Sequence, residues 1–282
     1  RNTVARTVTA GEDDLGLNLS AQQIVVAKRN SALVAGATPS LIYYTSMMNY
    51  KDGPLADVRV RQAMNWALNR EDLNRVLMHG LGQGHCSMFP SGFWANDPET
   101  EHFYTHDLDR AKSLLKEAGH PNGLEIETWT WPDQAAVQVR EVVGAQLAQA
   151  GIRMKVTPAP PAQAMQNFLA EKKGHQLLSP TGGLPDPSLT YDRQFSANAY
   201  RNAGGIELPG YRELIDASLS TFDQMGRQKV MYDLQRFVLE NALHLPQYMS
   251  ASMYAHSHNV RDFVFGIANR PRFQKVWLER AA

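Results

Sequence analysis

The stretch from Leu124 to Thr157 constrains the fold more tightly than any other part of the chain. LEIETWTW alternates strictly, with Ile126, Thr128 and Thr130 on one face and Glu125, Glu127, Trp129 and Trp131 on the other. Asn122-Gly123 makes the turn before it. Pro132 stops the strand, Asp133 stands where a helix N-cap belongs, and the text is then helical to Ala150, with Gly151 as terminator. IRMKVT follows as a second strand. Strand, long helix and strand in direct succession form a β-α-β unit, whose crossover should be right-handed within a parallel or mixed sheet. An α/β protein is therefore expected.

The flanking text agrees. DVRVRQAMNWALNREDL, residues 57–73, places Val60, Ala63, Met64, Ala67 and Leu68 on one helical face, with Asp57 as N-cap. Asn69 caps a second short helix that ends near Gly80. LDRAKSLLKEAG is a helix stopped by Gly119, with Ala111, Leu114, Leu115 and Ala118 on one face. Earlier, a helix, a turn at Gly11, the strand DLGLNL and a helix capped by Ser20 lead into the extended LIYYTSMMNY. Later come a helix over 162–171, the strand HQLLS, helices over 208–218 and 223–241, and the strand HLPQYMSASMYA. Between them PTGGLPDPSLTYDRQFSANAYRNAGG, residues 180–205, reads as one long loop. Such a loop is usually functional or disordered, and this one follows the C-terminal end of a strand, where open α/β sheets bind ligands.

Several function classes are disfavoured. Lysine plus arginine number 28, aspartate plus glutamate 28, and the net charge of zero argues against a nucleic-acid binder. No apolar run is long enough to span a bilayer. A single cysteine, Cys86, permits no internal disulfide. There is no G-x-S-x-G elbow, and Gly80-Leu81-Gly82-Gln83-Gly84 follows a helix and enters loop, the wrong context for a phosphate cradle. His85-Cys86 are chain neighbours that point apart, so an inert, partly buried cysteine is the simpler reading. His256-Ser257-His258 lacks a third ligand and reads as surface histidines. Asp13-Asp14, Glu99 and Glu101 read as solvated charges. No cofactor is expected. Trp129 and Trp131, at the end of a strand, fit either a ligand crevice or a core covered by helices. Asp186-Pro187 fits a turn.

The order of segments carries more than any single residue. AGEDDLGLNLSAQQ, NYKDGPLADVRVRQAMNWALNREDL and YTHDLDRAKSLLKEAGHPNG occur in sequence, followed by QLAQAGIRMKV, the PDP of the long loop, YRELIDAS and ENALHLPQY. Together they resemble the family 5 extracellular solute-binding proteins of ABC transporters, the dipeptide-, oligopeptide- and nickel-binding type. The resemblance covers nearly the whole chain. It implies a type II periplasmic-binding-protein-like fold of two α/β lobes joined by a hinge, here one complete lobe plus parts of the other. Residues 1–40 would be a segment of lobe one, 41–249 the second lobe and 250–282 the return to lobe one, with the hinge near Ser40–Ile42 and Ser250. Full-length members also carry a signal sequence and most of the first lobe, so the chain reads as a C-terminal fragment. The 57–73 stretch becomes a packing element, and its arginines scaffold.

The implied function is the substrate-binding component of an ABC importer, without catalysis. It would capture a peptide or other small polar solute by hinge closure, in the periplasm or outside the cell. Its implied partners are that ligand, the ABC permease subunits and the N-terminal lobe of the same protein, with no nucleic acid and no membrane span. The family's peptide binders place an acidic residue shortly before the D-P of the long loop, where this chain has Gly183. Dipeptide binders also carry an arginine after the strand at TWTWPDQ, which has none. A zwitterionic dipeptide held in that manner would leave buried charges unpaired, at considerable cost. The tryptophans point instead to a flat or sugar-like ligand face, or a peptide gripped by its backbone. The expected ligand-binding set is Trp129, Trp131, Thr181, Gly183, Asp186, Tyr191, Arg193 and Asn202. The alternatives are an α/β hydrolase-like enzyme using Asp186 or His85, and a solute-binding protein used for sensing.

Overall fold

The computed structural model describes residues 2–279; Arg1 and residues 280–282, the outer ends of the two expected lobe-one segments, lie outside the described residues. In chain order the first elements are α1 (Asn2–Ala10), β1 (Leu15–Leu17), α2 (Ala21–Ala27), β2 (Leu33–Met48), α3 (Val58–Ala67), α4 (Arg70–Met78) and α5 (Leu108–Glu117). The β-α-β unit follows as β3 (Leu124–Thr130), α6 (Gln134–Gln149) and β4 (Ile152–Pro158). Then come α7 (Pro161–Met165), β5 (Gln176–Gly182), α8 (Pro187–Phe195), α9 (Tyr211–Ser220), α10 (Gln224–Glu240) and β6 (His244–Ser257). Short strands β7 (Val260–Arg261), β8 (Val264–Gly266), β9 (Arg270–Arg272) and β10 (Trp277–Leu278) end the described chain.

Helix starts follow the side chains that cap them. Ser20 forms a reciprocal capping box with Gln23. Asp57, Asn69, Asp107 and Asp133 each accept from a first-turn N–H of α3, α4, α5 and α6.

The main sheet has six strands in the order β1-β6-β2-β5-β3-β4. β3 runs parallel to both β4 and β5, whereas β2 is antiparallel to β5 and β6, and β1 to β6. The sheet is thus mixed, as the β-α-β reading allowed. One face packs on α2 to α6 through Ile126, Leu178, Leu245 and the apolar stripes of α3 and α6. The other meets α8, α9 and α10 around Tyr43 and Met249, and α7 around Met47 and Leu177. β2 and β6 are the two long strands; their register shifts between Tyr44 and Thr45 and breaks more widely between Pro39 and Tyr43. There Ser40 Oγ donates to the Ser250 carbonyl at 3.1 Å and accepts from the Ile42 amide at 3.2 Å.

The arginines of the 57–73 stretch bind neighbouring backbone and side-chain groups of the scaffold. Arg61 is buried and donates to the carbonyls of Leu55, Ala56, Asn241 and Ala242, tying α3 to the turn after α10. Arg59 holds Asp57 and the Glu117 carbonyl.

Several local expectations are corrected. The helix expected over 162–171 stops at Met165 and continues as a π-helical turn, Gln166–Ala170. The long loop is interrupted by α8, which Asp186 caps and Pro187 opens. Its Tyr191 and Phe195 stand at helical i, i+4 spacing, but the helix is only nine residues long and is set among glycine, proline and asparagine. α9 begins at Tyr211 rather than near 208, because Gly210 is in a left-handed conformation at φ 88°. Cys86 is fully rather than partly buried. His256 is not a surface residue: it is buried and stacks on Tyr254 with ring centroids 5.9 Å apart. His258 lies in the exposed turn beyond β6, 3.0 Å from the Ser31 carbonyl. Gly82 and Gly84 are packing glycines: a Cβ would stand 2.4 Å from the Met249 and Arg70 carbonyl oxygens.

Candidate functional site

The sheet order places a crevice. From β3 the chain moves outward to β4, then returns past β3 to β5 on its other side. α6 packs on one face of the sheet and the α7 segment on the other. Such a reversal leaves the C-terminal ends of the two inner strands, β3 and β5, uncovered by their own connections. Beside that edge lies the β2 register break, since Ile42 pairs with Gly182 at the end of β5.

On the β3 side stand the two tryptophans, both half-buried and packed with Met165, Phe168, Leu169 and Ala203. Trp129 donates its indole N–H to the Lys173 carbonyl at 2.8 Å, which fixes the ring against the turn after the π-helix. Trp131 lies one residue past β3, and its enclosed indole N–H donates to no protein group. The Thr130 hydroxyl, on the opposite face of β3, is likewise buried without a partner.

On the β5 side, Thr181 is buried beneath Arg201, which donates to its hydroxyl at 3.3 Å. Arg193, on α8, donates to the Gly182 carbonyl, while its Nε is enclosed and makes no hydrogen bond. Gly183 donates to the Leu41 carbonyl at 2.7 Å, joining the end of β5 to β2 at the register break. Burial first, then the charge of Arg193, push the Arg201 guanidinium below its ordinary range. Tyr43, below both arginines, is raised by burial and partly drawn back by their charges.

The remaining expected site residues serve the scaffold around this edge. Asp186 accepts from the Ser188 amide at 2.9 Å, and both its oxygens receive Arg227 at 2.7 and 2.8 Å. Burial raises the Asp186 carboxyl, but the Arg227 pairing outweighs it and holds the group below its usual value. Tyr191 is buried among Phe89 and Phe195. Asn202 staples its loop by donating to the carbonyls of Phe195, Ser196 and Ile206 and accepting from Gly205. The structure therefore gathers Trp129, Trp131, Thr181, Gly183 and Arg193 at one edge and keeps Asp186, Tyr191 and Asn202 behind it. Arg201 was not among the expected residues. Its charge in the loop was visible, but its return to β5 depends on the turn held by Asn202.

This architecture has known counterparts. The profile of the bacterial extracellular solute-binding proteins, family 5 Middle, matches residues 1–202. The chain belongs to that family. Among its family 5 relatives, the dipeptide-binding protein of Escherichia coli is 26% identical over 241 residues, which is 82% of this chain and 44% of that protein. The glutathione-binding protein GsiB of Pectobacterium atrosepticum is 31% identical over 157 residues, 55% of this chain and 30% of that protein. The chain thus spans less than half the length of these two relatives. The periplasmic binding protein DppA of Helicobacter pylori, solved with a peptide, superposes with a TM-score of 0.84 at 23% identity, covering 99% of this chain and 55% of that one. At that identity the likeness establishes the shared fold alone. Among the described residues no helix is long and apolar enough to cross a membrane.

Proposed function

We propose that this chain is one complete ligand-gripping lobe plus parts of the other in the substrate-binding component of an ABC importer. The observation that carries the reading is the β2–β6 pair in a member of family 5. The two strands run on past the edge where β5 ends, through a register break at Pro39–Tyr43, toward β1. A strand pair whose pairing lapses over residues 40–42 is a suitable hinge, with residues 1–40 and 250–282 belonging to lobe one and 41–249 to the second lobe. Ligand bound at the β3–β5 edge bridges the lobes and stabilises the closed state, which the permease recognises. The site of action is the periplasm or the outer face of the cell. The relatives' names support a peptide or a similar small polar solute as cargo.

A hydrolase built on Asp186 or His85 is not favoured. Both Asp186 oxygens are occupied by Arg227, and His85 is buried against Gln83 and the Ser87 amide.

The test is a thermal-shift and calorimetric screen of a protein carrying both lobes against di- and oligopeptides, sugar–amino acid conjugates and nickel chelates. A ligand that binds only the folded state raises the midpoint by mass action, so one class is expected to shift it. Trp131→Ala should then weaken binding of that class, and it should also lower unliganded stability through its lost packing on the Phe168–Leu169 cluster. Silence across the panel from well-folded protein would sink the importer reading.

A further inference from the structure

Arg193 and Arg201 bracket the last two residues of β5, and what they lack is as informative as what they bind. Neither guanidinium enters an ion pair among the described residues. Their protein partners are one neutral carbonyl and one hydroxyl. The nearby carboxylates are engaged elsewhere: Asp186 by Arg227, Glu207 by Arg212, and Asp192 by the Ser196 hydroxyl with Arg212 at 3.9 Å. Lys172 adds to the positive charge, reaching toward the Asn202 carbonyl with no ion pair of its own. Two half-buried like charges without a counter-ion repel each other and lose hydration, so the fold alone gains little by holding them together. Arg193 still presents an enclosed Nε with no acceptor. Guanidinium forks match planar carboxylates, and the position an acidic residue would take in the loop is Gly183, so no negative charge there repels an anion.

We propose that Arg193 and Arg201 form an oxyanion subsite that takes a carboxylate of the bound solute beside Trp131, making the preferred cargo an acidic one. The proposal rests on the solute-binding reading for its biological meaning, but the subsite itself is testable without the natural ligand.

The experiment compares glutarate with neutral glutaramide, at matched ionic strength, as additives in thermal unfolding of this chain. It is run on the native sequence, on R201Q, on R193Q/R201Q, and on R29Q as an exposed control. Glutarate should raise the midpoint of the native chain and R29Q by a few degrees, with glutaramide inert. R201Q should lose most of that shift while its own midpoint stays level or rises, because a repulsion has been removed. If R193Q/R201Q fails to fold, R201Q with R193K decides the matter. Equal glutarate shifts in native and R201Q chains overturn the subsite, as does equal response to glutarate and glutaramide. A large drop in the R201Q midpoint without ligand makes the arginine structural and overturns it too. Inorganic phosphate outdoing glutarate would overturn the carboxylate assignment. A silent solute screen with a positive glutarate result would sink the importer reading and leave the subsite standing.

Discussion

His244 shows what burial does to a single titratable residue. Its ring is 4% exposed, lies 3.1 Å from the Thr45 hydroxyl, and meets the edge of Phe195. Burial, reinforced by the charge of Arg70, pushes its pKa down to about 3. The unfolded chain returns the imidazole to its ordinary value of about 6.5. The unfolded state therefore binds a proton that the folded state refuses. Stability from this residue is complete above that ordinary value and falls as the pH drops from there toward 3. The loss should reach about 2 kcal/mol by about pH 5. His85, lowered by burial to about 4 against the opposing pull of Glu101, adds to the same acid sensitivity. His244→Asn keeps a polar partner for Thr45 and has no such proton. Its denaturant midpoint should fall less than the native one between neutral and mildly acid pH. Parallel pH curves for the two proteins would refute this account.

At the scale of the element, the turn between the π-helix and β5 holds Trp129 in place. Lys173 supplies the carbonyl that receives the indole N–H, and Gly174 follows at φ 80°. A Cβ on Gly174 would lie 2.9 Å from the Trp129 indole nitrogen. Gly119, at the end of α5, has a similar φ of 87° but open space around it. Gly119→Ala should therefore cost only the backbone term, about 1 kcal/mol. Gly174→Ala should cost roughly 1–2 kcal/mol more, because ring and turn must separate. Chemical denaturation reads the difference, and tryptophan emission should shift only in the Gly174 variant. Equal costs would mean that the turn does not hold the ring.

For the whole molecule, β2 is the keystone strand, paired on one side with β5 and on the other with β6. Its amides from Tyr43 to Met48 should exchange with solvent only through global unfolding. The β7–β10 and β8–β9 ribbons are two-stranded and edge the molecule, so they should open far sooner. Hydrogen exchange measured by mass spectrometry distinguishes the two cases. Uniform protection across β2 and the ribbons would contradict this ordering of stabilities.

The sequence by itself determined the pieces whose causes are local. Ser20, Asp57, Asn69, Asp107 and Asp133 cap helices because a side-chain oxygen meets an amide two or three residues away, a relation written into the spacing. The alternation of LEIETWTW likewise decided which face of β3 is buried. The helix inside the long loop escaped detection because its burial comes from Tyr191 meeting Phe89, a contact 102 positions away in the chain. The candidate site was only half legible for the same reason. Trp129, Trp131, Thr181 and Gly183 lie at strand ends that the segment order predicts, and Arg193 on the helix that follows one of them. Only the tertiary structure, however, set Asp186 against Arg227, sank Tyr191 and Asn202, and returned Arg201 to β5. Charge pairing and burial depend on which distant segments come within a few ångströms of each other, and that is fixed only when the whole sheet has closed its core.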